Sequence, residues 1–135
     1  MNYWLFKSEP FKFSWDDLTK KKYEPWDGVR NYEAANNMKA MKIGDKGFFY
    51  HSNEGLEIVG IIEVVKEYYP DPTDPKGRFG MVDVKAIKPV PKTVSLKTIK
   101  ATESLSDMAL IKRMRLSVSP VRANEWKIIC KMAGL

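Results

Sequence analysis

The sequence predicts an α+β fold: a small closed or nearly closed β-barrel with short helices packed against it. Three observations predict it. Short aromatic and β-branched runs alternate along the chain with helical apolar patterns. Ile58-Val59-Gly60-Ile61-Ile62-Glu63-Val64-Val65 is apolar on both faces at its centre, as a central strand is. Within it Gly60 admits the bend or bulge that curls a strand around a small barrel. At 135 residues the chain is expected to be a single domain, 1–135, large enough for a real core.

The first strand is Tyr3-Trp4-Leu5-Phe6, ended by Ser8-Glu9-Pro10. Ser14 then caps a short helix, with Asp17 at its third position and Lys20-Lys21-Lys22 closing it. That lysine triplet fits a solvated helix end better than a phosphate clamp. From Asn31 to Met41 the residues Ala34, Ala35, Met38 and Met41 form one helical stripe facing the core, with Asn31 as N-cap. Phe48-Phe49-Tyr50-His51-Ser52 is a strand whose alternation sets Phe49 and His51 on one face and Phe48, Tyr50 and Ser52 on the other, one of them core. Tyr69 to Gly77 holds three prolines and is expected to be a rigid loop over the site. Its Asp71 and Asp74 are too few oxygen ligands for a hard cation. Met81 to Ile87 alternates as a strand that Pro89 and Pro91 should end. Ser95–Ile99 and Ser106–Ile111 are short helices, Arg115–Pro120 a late strand, and Ala123–Met132 a last helix packing Trp126, Ile129 and Cys130 inward.

Composition narrows the function. Hydrophobic content of 44% and charged content of 30% describe a folded globular chain. One cysteine, Cys130, excludes a disulfide framework and fits a buried structural thiol. The start lacks a basic n-region and no apolar run reaches spanning length, so a cytoplasmic protein is expected, nucleoid-associated or, in a eukaryote, nuclear, with no membrane partner. Residues 1–84 carry 12 Lys/Arg against 14 Asp/Glu, and residues 85–135 carry 11 against 3, so the net charge of +6 lies in the C-terminal part. That asymmetry suits a polyanion approaching one side, although scattered lysines also serve solubility alone.

The chemistry concentrates in Trp26-Asp27-Gly28-Val29-Arg30-Asn31-Tyr32. An indole and a phenol offer flat faces, a guanidinium a planar donor fork, and an amide both donor and acceptor. These groups hold a flat, polar-edged ligand such as a nucleobase. The same residues equally compose a core tryptophan, a turn glycine, a surface arginine and an N-cap. Catalytic signatures are missing: no nucleophile elbow, no phosphate-binding glycine loop and, with His51 the one histidine, no multi-histidine metal site. His51 and Ser52, as strand neighbours, point to opposite faces and do not form a nucleophile–base pair. A binding module without metal or cofactor is therefore expected ahead of an enzyme.

Several motifs taken together resemble the EVE domain of the PUA-like superfamily. They are Tyr3 to Pro10, Trp26 to Tyr32, Met41-Lys42-Ile43-Gly44-Asp45, Phe49 to Ser52, Tyr69-Pro70-Asp71, Met81-Val82-Asp83-Val84 and Arg115-Leu116-Ser117-Val118, in the family's order over essentially the whole chain. The resemblance implies a PUA-like β-pseudo-barrel flanked by short helices, and recognition of a modified base, chiefly a modified cytosine in DNA, extruded into a pocket. Carried over by motif, the pocket residues are Lys7, Ser8, Trp26, Val29, Arg30, Asn31, Tyr32, His51, Ser52, Arg115, Leu116 and Ser117. On the reading adopted for that pocket, Trp26 is expected to be the stacking face, and Lys112, Arg113 and Arg115 are expected to hold phosphates. The chain departs from the family at Ala35, where an arginine is usual, at Phe79 in place of a tryptophan, in a shorter loop after Asp71, and at Arg122 in place of a capping Ser or Thr. The expectation is a monomer that binds nucleic acid, DNA with modified bases before RNA. The alternatives are an RNA-binding module, a nucleobase enzyme using His51 as acid–base, or a protein-interaction domain.

Overall fold

Six strands form one sheet in the order β2-β5-β4-β3-β1-β6, in a computed structural model describing residues 1–135. The strands are β1 (Tyr3–Ser8), β2 (Glu24–Pro25), β3 (Lys46–His51), β4 (Glu57–Pro70), β5 (Gly80–Ser95) and β6 (Val118–Val121). β1 runs parallel to β3, and the other pairings are antiparallel. β2 and β6 end the sheet without pairing to each other. The helix α2 (Tyr32–Lys39) spans that gap, packing on β4, β5 and β6, so the barrel is closed by a helix and not by a ladder. Asn37 fixes the helix there by donating to the Val118 carbonyl at 2.8 Å.

The local signals explain the helices. Ser14 and Asp17 form a reciprocal capping box at α1 (Trp15–Thr19), with bonds of 3.1 and 2.9 Å. Asn31 accepts from Ala34 N–H at 2.9 Å, starting α2 as its spacing predicts, and Ala34, Ala35, Met38 and Met41 are buried. α3 (Leu96–Ala101), a 3₁₀ turn (Glu103–Leu105), α4 (Ala109–Lys112) and α5 (Ala123–Met132) cover the outer face of the sheet. No helix is long and apolar enough to cross a membrane.

Two cores result. Inside the barrel, Trp4, Phe6, Trp15, Trp26, Phe49 and Val82 pack with the apolar face of α2. Outside, Leu5, Phe48, Tyr50, Ile58, Ile61 and Val121 pack under α3–α5. Both faces of β3 are therefore core, not one, because helices cover the side that a half-exposed strand would give to water. Buried Asp45 ties the N-terminus to the barrel, accepting from Trp4 Nε1 at 3.0 Å and Lys42 N at 3.0 Å.

Three element boundaries differ from expectation. β5 runs through Pro89 and Pro91 to Ser95. Beyond Val84 only β4 flanks it, and its pairing with β4 there is interrupted by register shifts, which is where a residue without N–H is tolerated. The late strand begins at Val118, since residues 113–116 form a hydrogen-bonded turn, Leu116 N to Arg113 O at 3.0 Å. β4 extends to Pro70, leaving a loop of 71–79, and the two-residue β2 carries no readable sequence pattern.

Candidate nucleic-acid interface

Residues 24–30 pass along the barrel opening and line a cavity of about 320 Å³ with the end of β1, the turn that follows it, and Ser117. Of the twelve residues that the motifs put in one pocket, six line it: Lys7, Ser8, Trp26, Val29, Arg30 and Ser117. Asn31, Arg115 and Leu116 instead line a second hollow with Glu33, Lys112, Arg113 and Met114. The chain runs from one hollow to the other at Arg30–Asn31 and again at Leu116–Ser117, so the two adjoin across these segments.

Trp26 has a double role. It is only 9% exposed, its ring set edge-on to Phe6 at 5.2 Å and to Phe49 at 5.9 Å, and it lines the cavity with what remains. It is thus a core residue showing one side to the cavity, not a free stacking platform. Gly28, at φ +78°, turns the chain so that its N–H meets Asp71 Oδ2 at 2.8 Å.

Arg30 is held from behind. Its guanidinium donates to Asp71 Oδ2 and the Val29 carbonyl at 3.2 Å each and to Thr73 Oγ1 at 3.0 Å, and lies 5.8 Å from the Phe79 ring. Thr73 donates back to Asp71 Oδ1 from its hydroxyl (2.6 Å) and its N–H (2.8 Å). Burial alone would raise the Asp71 carboxyl. The hydrogen bonds from Thr73, Gly28 and Arg30 outweigh it and hold the group at about 2. The proline-rich loop, expected to lie over the site, instead stands behind Arg30 as a brace and does not line the cavity. Tyr32 turns to Phe79, ring centroids 4.8 Å apart, and lines neither hollow.

Lys7 Nζ donates to the Met114 carbonyl at 2.7 Å, which leaves further donors free, and burial lowers its pKa. Ser8 donates to the Phe13 carbonyl and keeps its acceptor capacity. The cavity also holds Glu9, Lys12, Glu24 and Asp27, none of them singled out from sequence. Asp27 was readable in principle, since it sits inside the Trp26–Arg30 stretch.

His51 and Ser52 do not line the cavity. His51 Nε2 accepts the Trp15 N–H at 3.1 Å, linking β3 to the start of α1. Burial lowers its pKa, and a neutral ring is what that acceptor requires. Stability from this bond is full above the unfolded value of about 6.5 and is lost as pH falls toward the lower folded value. Replacing His51 by alanine is expected to cost about 1 kcal/mol at pH 8 and to flatten stability between pH 7 and 5. Urea midpoints at several pH values measure both.

Of the three phosphate candidates, Arg113 is held bidentately by Glu33 and Lys112 lies 3.6 Å from Asp107, both at the surface. Such exposed pairs are weak and exchangeable. Arg115 is exposed and has no carboxylate partner.

Comparison with known proteins returns the same architecture. The family model described as the EVE domain matches residues 2–132. Thymocyte nuclear protein 1 of Rattus norvegicus is 38% identical over 165 residues, covering 97% of this chain and 73% of that protein. Protein Atu2648 from Agrobacterium tumefaciens, a crystal structure, is 53% identical, with a TM-score of 0.96 over 100% of this chain and 94% of that one. The human THYN1 protein, crystallised in complex with DNA containing 5-methylcytosine, is 34% identical, with a TM-score of 0.94 over 100% of this chain and 99% of that one. The YTH domain of Zygosaccharomyces rouxii MRB1, at 16% identity and a TM-score of 0.62, shares the fold.

Proposed function

The chain belongs to the EVE domain family, and on that premise we propose that it binds nucleic acid and takes a modified base, a modified cytosine of DNA, into the cavity lined by Trp26, Val29, Lys7, Ser8, Arg30 and Ser117. The observation that carries the proposal is the full-length likeness to a protein bound to DNA containing 5-methylcytosine, together with an open cavity lined by the motif residues. At about 320 Å³ the cavity falls in the range of small-ligand sites, roughly 300–1,000 Å³.

The chemistry divides by position. Trp26 and Val29 give the base an apolar wall. The free donors of Lys7 and the hydroxyls of Ser8 and Ser117 address ring acceptors. Asp27 is an acceptor of the kind an exocyclic amine needs. Arg30, fixed by Asp71, is a preoriented fork at the rim. Extruding a base costs a few kcal/mol, and a largely buried wall returns less than the roughly 1–3 kcal/mol of full base–aromatic stacking, so edge contacts and phosphate contacts supply the surplus. We assign the latter to Arg115 and, once released from Asp107 and Glu33, to Lys112 and Arg113, which share one hollow. We read the protein as a binder and not a nucleobase enzyme, because the histidine such an enzyme would use is engaged with Trp15 away from the cavity.

The test is competition between matched oligonucleotides with cytosine or 5-methylcytosine, as DNA and as RNA, at two salt concentrations. Preference for the methylated DNA is expected, and equal affinity for all four would overturn the proposal. Lys7→Met is expected to lower that preference about tenfold, the worth of one charge-assisted hydrogen bond. Arg115→Ala should instead weaken every oligonucleotide alike and reduce the log–log salt slope by about 0.9.

A further inference from the structure

Extruding a base leaves a gap in the duplex, and the protein carries a side chain placed to fill it. Two large apolar side chains stand out into solvent beside the cavity, Phe11 at 72% and Met114 at 65% exposure. Met114 lies within the turn closed by the Leu116 N–H on the Arg113 carbonyl at 3.0 Å. Its own carbonyl is held at 2.7 Å by Lys7 Nζ, and Lys7 lines the base cavity. Its neighbour Leu116 is buried and anchors the turn, so the backbone beneath Met114 is fixed while the thioether is free.

The surroundings of Met114 are those of a backbone-contacting wall. It lines the second hollow with Lys112, Arg113, Arg115 and Glu33. Arg113 is paired with Glu33 and Lys112 with Asp107, exposed pairs that a phosphate can displace, and Arg115 has no carboxylate partner. Phe11 lines neither hollow, and the one cation next to it in sequence, Lys12, is paired with Glu9 at 3.2 Å. An apolar side chain on a fixed turn, set between cations and next to a base-sized cavity, matches the wedge that base-extruding and duplex-bending proteins insert between base steps. Met is among the residues that serve this way, since its unbranched chain adapts to an irregular gap.

We infer that Met114 is a wedge that enters the base stack of duplex DNA at the position vacated by the extruded base. The inference rests on the base-pocket reading above. It adds a consequence that reading does not contain: Met114 matters for a duplex and not for a single strand, where no stack needs repair.

The experiment uses the full chain and one oligonucleotide carrying either cytosine or 5-methylcytosine at a single position, each as a single strand and as a duplex, with 2-aminopurine next to that position in the duplex. Met114→Ala is expected to fold as the wild type does, the side chain being exposed. It should bind the single strand within about twofold of wild type and the duplex about tenfold more weakly, the scale of one lost stacking contact. The 2-aminopurine signal at saturation should change with the variant, and Met114→Leu should restore both. Equal duplex affinity for wild type and Met114→Ala overturns the wedge, as does an equal loss on both substrates, or a duplex-specific loss in Phe11→Ala but not in Met114→Ala. A wild type that does not prefer the methylated single strand overturns the base pocket instead, so the two failures are distinguishable.

Discussion

Gly60→Val is expected to lower the free energy of unfolding by about 3–5 kcal/mol, a large part of the roughly 5–15 kcal/mol of a domain this size. The reason is contact, not backbone freedom. Gly60 is not among the left-handed glycines, and its conformation would admit other residues. The Trp15 indole, however, lies flat on it. A Cβ at position 60 would meet three ring carbons at 2.4–2.6 Å, inside any real Cβ contact. Trp15 cannot retreat, since it is 8% exposed, edge-on to Phe49 at 5.5 Å, and its backbone N–H is held by His51. Either β4 or α1 must move. Chemical denaturation of the wild type and of Gly60→Ala, Trp15→Ala and the double variant gives the coupling directly. In the Trp15→Ala background the alanine at 60 should cost nothing measurable. A full penalty there would show that the glycine serves the bulge between β3 and β4 and not the indole.

Why the sequence announces Gly60 but not its partner is a matter of range. A glycine in an apolar run signals a bulge, and β4 has register shifts on both sides of it against β5. What fills the space above the glycine comes from a helix 45 positions earlier, and no local pattern reports that. The elements legible from sequence are those whose signal is local: β1, the Ser14 capping box, the Asn31 cap and the stripe of α2, and the whole of α5. β5 was not, because proline ends a strand with two neighbours but not one whose outer edge is free, and neighbour count is a tertiary fact.

The site divides the same way. The Trp26–Arg30 stretch lines the cavity as one continuous piece, so its chemistry could be read in place. His51 ends β3 and Ser52 follows it, and it is the family motif that puts both in the pocket. His51 pairs with Ser8 of β1, which lines the cavity, but its own ring turns away to accept from α1. Arg113 shows the converse. Sequence supplies a cation where a phosphate contact is wanted, but cannot supply Glu33, 80 positions away, which holds it.

Asp71→Asn is the second large effect, and it separates stability from recognition. The carboxylate is 2% exposed and accepts from four donors: Gly28 N–H, Arg30, and the hydroxyl and N–H of Thr73. An amide of the same shape turns an NH₂ toward donors and leaves at least one of them unpaired in a buried place, so a loss of about 2–3 kcal/mol is expected at pH 7. The sign with pH follows from the depressed value. A carboxyl at about 2 in the folded chain, against its ordinary value near 3.8, contributes stability that is present in full above pH 4 and is lost as pH falls through 2. The wild type should therefore lose about 2 kcal/mol between pH 4.5 and 2 that the asparagine variant, already without it, does not lose. Recognition should fall as well, because Arg30 keeps its charge but loses the partner that aims it. Preference for methylated over plain DNA is expected to drop about tenfold while affinity for plain DNA holds within about twofold. Denaturation midpoints across that pH range, read beside competition binding at pH 7, measure the two effects on one protein. A variant destabilised as expected but with undiminished preference would show that Arg30 lies outside base recognition, and that Asp71 braces the loop and nothing more.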